Sequence, residues 1–228
     1  MVACHKILAI ETSTTACSAA LQVGDEIVEQ FKIAPRQHSD FILPMVDQLL
    51  VEAGMSLKQL DSIAFACGPG AFTGLRIAAG VVQGLAFAVD IPVTPVSTLA
   101  TMAHGAFREF GEQNVLVAND AGMKEVYFGA YHVPEWGKTD LLGKEWVTPL
   151  ASIPDSFEGQ WLALGSGWQS YAEQIPDSFA DKLQKTLVEY YPHAKDVVSL
   201  AQGIFGAGGY VAPEEAIPVY LRDKVVGN

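Results

Sequence analysis

The sequence predicts an α/β protein with mixed β-sheets, assembled from two copies of one unit. Three observations carry that prediction. Apolar runs of strand length alternate with segments of helical length and period. An apolar strand is closed by an acidic residue and a small-residue turn twice, at Glu11-Thr12-Ser13-Thr14 and at Asp120-Ala121-Gly122-Met123. Each time a second strand follows directly, the signature of a repeated hairpin unit. The expected division lies near residue 104, giving lobes 1–104 and 105–228, with the last segment packing back on the first lobe.

The elements follow in order. Ile7 to Ile10 and Ala16 to Val23 read as strands, Gly24-Asp25 as a hairpin turn, and Ile27, Phe31 and Ile33 as part of a third strand that Pro35 ends. Ser39 is positioned to cap a helix running to about Ala53, with Pro44 inside it. A buried strand at Ile63 to Cys67 leads through Gly68-Pro69-Gly70-Ala71-Phe72-Thr73-Gly74 into a helix ending near Val89. Pro92 to Val96 is a short strand, and Ser97 caps the next helix. The pattern restarts at Val115 to Asn119 and Val126 to Val133, continues with strands at Trp146 to Thr148 and Trp161 to Leu164, and closes on a helix from Ala194 to Phe205.

Composition narrows the function. Of 228 residues 50% are hydrophobic and 18% charged, which excludes a disordered chain. The net charge of −12 lacks the basic footprint with which a protein grips a phosphate backbone unaided. Cys4, Cys17 and Cys67 show no disulfide or zinc-ribbon spacing, and the five histidines include no H-x-x-x-H pair, so no metal site is expected. The start of the chain shows no signal peptide. The apolar stretch Ile77 to Val89 is shorter than the ~20 residues that cross a bilayer. A cytoplasmic protein without a membrane segment is expected.

Gly68 to Gly74 fails both phosphate-loop patterns, because Leu75 and Arg76 follow Gly74 and Thr73 stands where a third glycine is required. A strand-to-helix turn remains, whose glycines serve close packing or whose helix N-terminus holds an anion. The duplicated hairpin layout resembles the actin, hexokinase and Hsp70 superfamily, where hairpin amides meet nucleotide phosphates and carboxylates hold water around magnesium. That resemblance makes Glu11 and Asp120 the carboxylates around the magnesium, places Thr12 and Ser13 in the nucleotide-binding turn after Glu11, and assigns Gly165 and Gly167 to an adenosine-side turn. Read from the residues alone, both turns are equally ordinary hairpins with solvated carboxylate caps.

The segments Ile7 to Ser13, His38-Ser39-Asp40, Gly68 to Arg76, Glu125-Val126-Tyr127 and Pro218 to Arg222 together resemble the bacterial TsaB (YeaZ) family across nearly the whole chain. The resemblance implies a two-lobed actin-like fold and a part in forming threonylcarbamoyladenosine beside the anticodon of tRNAs that read codons beginning with adenine. It further implies a noncatalytic accessory subunit without a cofactor, a heterodimer with the paralogue TsaD, a complex that includes the ATPase TsaE, tRNA contact only through that complex, and a homodimer when alone. Two positions depart from the family, Glu11 where Asp is usual and Gly122 where Arg is usual. TsaD's H-x-x-x-H metal pair is absent. An ATP-dependent phosphotransferase of the actin and hexokinase type is the alternative.

The resemblance places the partner surface on the helices at 39–53 and 72–89. The second carries only Arg76 and Gln83 as long polar side chains, seven positions apart, with Ala79, Gly80 and Phe87 beside them. Its other side, with Ile77, Val81, Leu85 and Ala88, is expected in the core. The first helix is apolar over roughly 200°, wider than one core contact needs, and Val46 and Leu50 are expected to meet the partner, with Met45 as the alternative.

Overall fold

The computed structural model describes residues 4–154 and 156–222. They form two units, one running up to Thr101 and including Pro192–Val219, the other comprising Met102–Tyr191 and the described residues from Tyr220 onward. The division thus falls three residues before the expected one, and the second half of the chain gives a whole helix and the segment after it to the first unit.

In the first unit β1 (Ile7–Glu11), β2 (Ala16–Val23) and β3 (Glu26–Ile33) form an antiparallel meander. Helix α1 (His38–Glu52) leads to β4 (Ser62–Gly68), α2 (Phe72–Val89) and β5 (Val93–Ser97). β4 and β5 are parallel to β1, and the sheet order is β3-β2-β1-β4-β5. Every residue of β1 and β4 is buried, which requires cover on both faces. On one face α1 and α2 pack Ile42, Val46, Leu49, Ala78 and Val82 against Leu8, Ile10, Ile63 and Phe65. The late helix described below packs against β1, β2, β4 and β5.

Helix α3 (Thr98–Phe110) starts at the Ser97 cap, whose Oγ accepts the Ala100 amide at 3.2 Å. The second unit repeats the plan with β6 (Asn114–Gly122), β7 (Glu125–His132), β8 (Asp140–Leu141), β9 (Trp146–Thr148), β10 (Trp161–Leu164), the short helices α4 (Gly167–Ser170) and α5 (Asp177–Ala180), and β11 (Leu183–Leu187). Its order is β11-β10-β6-β7-β8, with β9 also on β7, and β6 is antiparallel to β7 and parallel to β10. The strand bearing the acidic residue therefore lies between its hairpin mate and a parallel strand in both units. Helix α6 (Ala194–Gly206) belongs to the first unit, where Val197, Val198, Leu200 and Ala201 are buried.

Two readings of α1 and α2 change. Ser39 is not the cap of α1; the helix starts one residue earlier, because the His38 ring is tied to the first hairpin, its Nε2 lying 2.9 Å from the Thr14 carbonyl and 3.2 Å from that of Ala16. Helix α2 is, by length and composition alone, apolar enough to cross a membrane. Its core face is Leu75, Ala78, Ala79, Val82 and Ala86, whereas Ile77, Val81 and Leu85 are only partly buried and Ala88 is exposed. In the second unit β8, β11, α4 and α5 were not legible as elements, being two to five residues long and without a clear hydrophobic period.

Candidate functional sites: two hairpin turns and a helical face

At the first turn, Glu11 ends β1 and is fully buried, as are Thr12 and Ser13 to within 1%. Glu11 Oε1 accepts the Ser13 amide, while its Oε2 and the Ser13 hydroxyl have no hydrogen-bond partner among the described residues. Burial pushes the Glu11 carboxyl up to about 8, against a smaller opposing pull from Ser13. Burial thus disfavours the charged form of this carboxyl.

The Gly68 to Gly74 loop explains that burial. The Ala71 amide donates to the Ser13 carbonyl at 2.7 Å, and the Thr12 hydroxyl donates to the Gly74 carbonyl at 2.8 Å. A Cβ on Gly74 would lie 1.9 Å from the Thr12 carbonyl oxygen, and one on Gly70 would lie 2.5 Å from that of Ser13. The glycines let the loop seat directly on the turn, so the packing role holds and no open cradle of amides is left. Glu11, Thr12 and Ser13 come together as expected, but as a sealed junction that presents no atom to a nucleotide.

The second turn is open but engaged with its own unit. Asp120 Oδ1 accepts the Gly122 amide at 2.8 Å and the Tyr171 hydroxyl at 2.7 Å, and the Asp120 amide donates to Ser166 Oγ at 3.1 Å. Partial burial works against ionisation of Asp120, but hydrogen bonds from Gly122, Tyr171 and Ser170 outweigh it and hold the carboxyl below its usual range. Arg222 donates to the Ala121 carbonyl at 3.1 Å and to that of Gly122 at 3.4 Å, and pairs with Glu125. Sequence reasoning quoted Arg222 and Glu125 only as family motif residues and missed this clamp, which joins positions about a hundred residues apart. Gly165 and Gly167 are buried, and a Cβ on either would lie within 2.5 Å of Asn119 or Val126 atoms. They seat the turn after β10 on β6 and β7 rather than face a base.

Both turns thus share one feature: a side-chain carboxyl group accepts an amide of its own turn, Ser13 in one and Gly122 in the other. Among the described residues no three His, Cys, Asp or Glu side chains are grouped so as to hold a metal.

The partner residues expected on the helices separate into two sets. Val46, Leu50 and Ala79 are 3%, 8% and 5% exposed and belong to the core, which corrects their assignment. Ile42, Val46, Leu49 and Leu50 follow the i, i+4, i+7, i+8 stripe that must face the sheet, and that stripe was the available signal. Gln83 is partly buried and donates to the Ala216 carbonyl at 3.2 Å. The outward set is Arg76, lying 3.9 Å over the Phe72 ring, with Gly80 and Phe87, the last 77% exposed. Gly84, Leu43 and Val51 are exposed apolar or small positions that the sequence reading did not single out. A Cβ on Gly80 or Gly84 would meet nothing within 4 Å.

Residues 26–226 match the family model for TsaD, tRNA N6-adenosine threonylcarbamoyltransferase. The tRNA threonylcarbamoyladenosine biosynthesis protein TsaB of Escherichia coli is 39% identical over 96% of this chain and 96% of its own. The protein of that name from Haemophilus influenzae is 36% identical over 96% and 94%. The solved structure of YeaZ from Pseudomonas aeruginosa is 44% identical, with a TM-score of 0.89 over 95% of this chain and 100% of that one. With a duplicated mixed-sheet fold, the Gly68 to Arg76 loop sealed onto the first hairpin, and full-length relatives above 30% identity, this chain belongs to the TsaB family of tRNA threonylcarbamoyladenosine biosynthesis proteins.

Proposed function

We propose that the chain is a noncatalytic accessory subunit that binds and supports a TsaD-type threonylcarbamoyltransferase, with a TsaE-type ATPase in the same complex and tRNA reached only through it. The observation that carries this reading is the outer face of α2. Phe87 stands out from it, and Gly80 and Gly84 leave room that nothing among the described residues fills. A helix interior gives up about 1 kcal/mol at each glycine relative to alanine, and what the glycines permit is close approach by another helix. Copies of the chain without TsaD would meet on the same face.

A noncatalytic role is supported by the buried, sealed Glu11 and by the carboxyl that already takes one amide of each turn. The same observations weigh against the phosphotransferase, which needs open turn amides and an ionised carboxylate near its phosphates. The net charge of −12 supports tRNA contact through a partner. Three cysteines that form no disulfide among the described residues support a cytoplasmic setting, and the core face of α2 supports a helix that stays in the protein. Gly80→Arg is the test. It should keep the cooperative melt and lose copurification with TsaD, because the added charge would be trapped only in the complex. Normal TsaD binding by this variant would place the partner elsewhere. Calorimetry with ATP and magnesium should show no micromolar binding; clear binding would favour the kinase.

A further inference from the structure

β3 ends the first unit's sheet. Its eight residues pair with β2 without a register shift, and among the described residues no strand pairs with its outer side. An unpaired edge of that length is a template for another strand, which proteins normally blunt with bulges or like charges. Here Val28, Phe31 and Ile33 are 39%, 37% and 47% exposed, and the exposed charges, Glu26 and Lys32, are opposite in sign and near opposite ends.

We propose that β3 pairs antiparallel with β3 of a second copy of this chain about a twofold axis, joining two five-stranded sheets into one. An axis normal to the sheet keeps each side chain on its own side of the sheet. Directly opposed residues must then have numbers of the same parity. Among such registers, the one centred on Glu29 sets Glu26 opposite Lys32 twice and Ile27 opposite Phe31 twice, pairings that stabilise antiparallel strands. Centring on Val28 sets Glu26 opposite Gln30 and Asp25 opposite Phe31. Centring on Gln30 sets Lys32 opposite Val28. Neither matches charge.

The two Glu29 residues at the axis do not confront each other as bare charges. Glu29 is 11% exposed at its side chain, lies 3.0 Å from His193 Nδ1 and 3.3 Å from Lys195 Nζ, and accepts the Lys195 amide at 3.2 Å. Lys32 Nζ rests 3.7 Å over the Phe41 ring, on the side of the sheet that α1 covers. Helix α2 packs on β4, β1 and β5, so this edge and the α2 face lie at different ends of the sheet.

The test is sedimentation equilibrium on the full chain carrying Gly80→Arg, which removes association through α2. A dimer should persist. Lys32→Glu or Glu26→Lys, each setting like charges opposite twice, should weaken it by roughly tenfold or more, and the double exchange should restore it. A Gly80→Arg chain that stays monomeric at about 100 µM overturns the proposal. So do single exchanges without effect, or a double exchange no better than either single one. Hydrogen exchange needs no charge variant: β3 amides should gain protection as concentration rises, and concentration-independent exchange counts against the pairing. TsaD binding should be indifferent to the charge exchanges, so failure here leaves the accessory-subunit reading standing.

Discussion

Glu11→Gln should stabilise the protein at and above neutral pH and leave it unchanged in mild acid. The carboxyl titrates at about 8 in the folded chain and near 4.5 when unfolded. The difference, 8 − 4.5, is about 3.5 units, and at about 1.4 kcal/mol per unit it amounts to about 5 kcal/mol. The sign follows from which state binds the proton. Below pH 4.5 both states hold it and the group contributes fully. Between 4.5 and 8 the folded chain keeps a proton that the unfolded chain has lost, so the contribution falls as pH rises, and above 8 it is gone. Gln keeps the shape and the acceptor for the Ser13 amide but cannot ionise, so the variant escapes that loss. Urea unfolding of both proteins at half-unit steps from pH 4.5 to 9 isolates the effect, since other groups cancel in the difference. Glu29 and Asp120, whose folded values are depressed, act in a separate window: their stabilisation is lost as pH falls through those values. The midpoints should separate progressively from 4.5 to 8 at constant m-value. Parallel curves across that range would refute the protonated, sealed carboxyl.

Gly74→Ala should cost 3 kcal/mol or so in a urea melt, since its Cβ would lie 1.9 Å from a backbone oxygen; a neutral result would mean that the loop lifts off the turn without penalty. Gly84→Ala should instead gain about 0.5–1 kcal/mol as a better helix former in open space, and lose TsaD affinity. Arg222→Ala should lower thermal stability by removing the clamp on Ala121, Gly122 and Glu125, and unchanged melting would show the clamp to be solvent-screened. Elemental analysis of untagged protein should find no stoichiometric zinc or iron.

The strand and helix sequence of the first unit was legible because its signals are local. The all-apolar runs of β1 and β4, the turn residues between β2 and β3, and the Ser97 cap each act over a few residues, and the structure places those elements within two residues of the reading. What depends on distant residues was not legible. Nothing near Glu11 in sequence announces that Gly70 and Gly74 will close over it, and a carboxylate in a polar turn reads as solvated until they do. Arg222 reads as tail until its carbonyl partners are known. For α1, the 200° apolar arc contained the answer, but choosing the inward stripe required knowing that the hydrophobic faces of two helices share one sheet.

Glycine shows most plainly where sequence reasoning stops and what the structure adds. Gly70 and Gly74 precede or begin α2, and Gly80 and Gly84 continue along it, so the spacing reads as one small-residue pattern with one purpose. The built Cβ positions divide it. The first two glycines face inward, where a methyl group would strike the backbone of the first hairpin; the next two face solvent, where it would strike nothing. An inward glycine is explained by the monomer. An outward glycine in a helix interior lowers the monomer's stability and relieves no contact within the chain. Its physical use lies in what can come near, and the residue beside it in that direction is Phe87, exposed like few other large apolar side chains of the protein. A small-residue floor with an aromatic anchor admits a close-packed helix from outside. That arrangement is why we propose α2 as the partner face, although Val46, Leu50 and Ala79 turned inward.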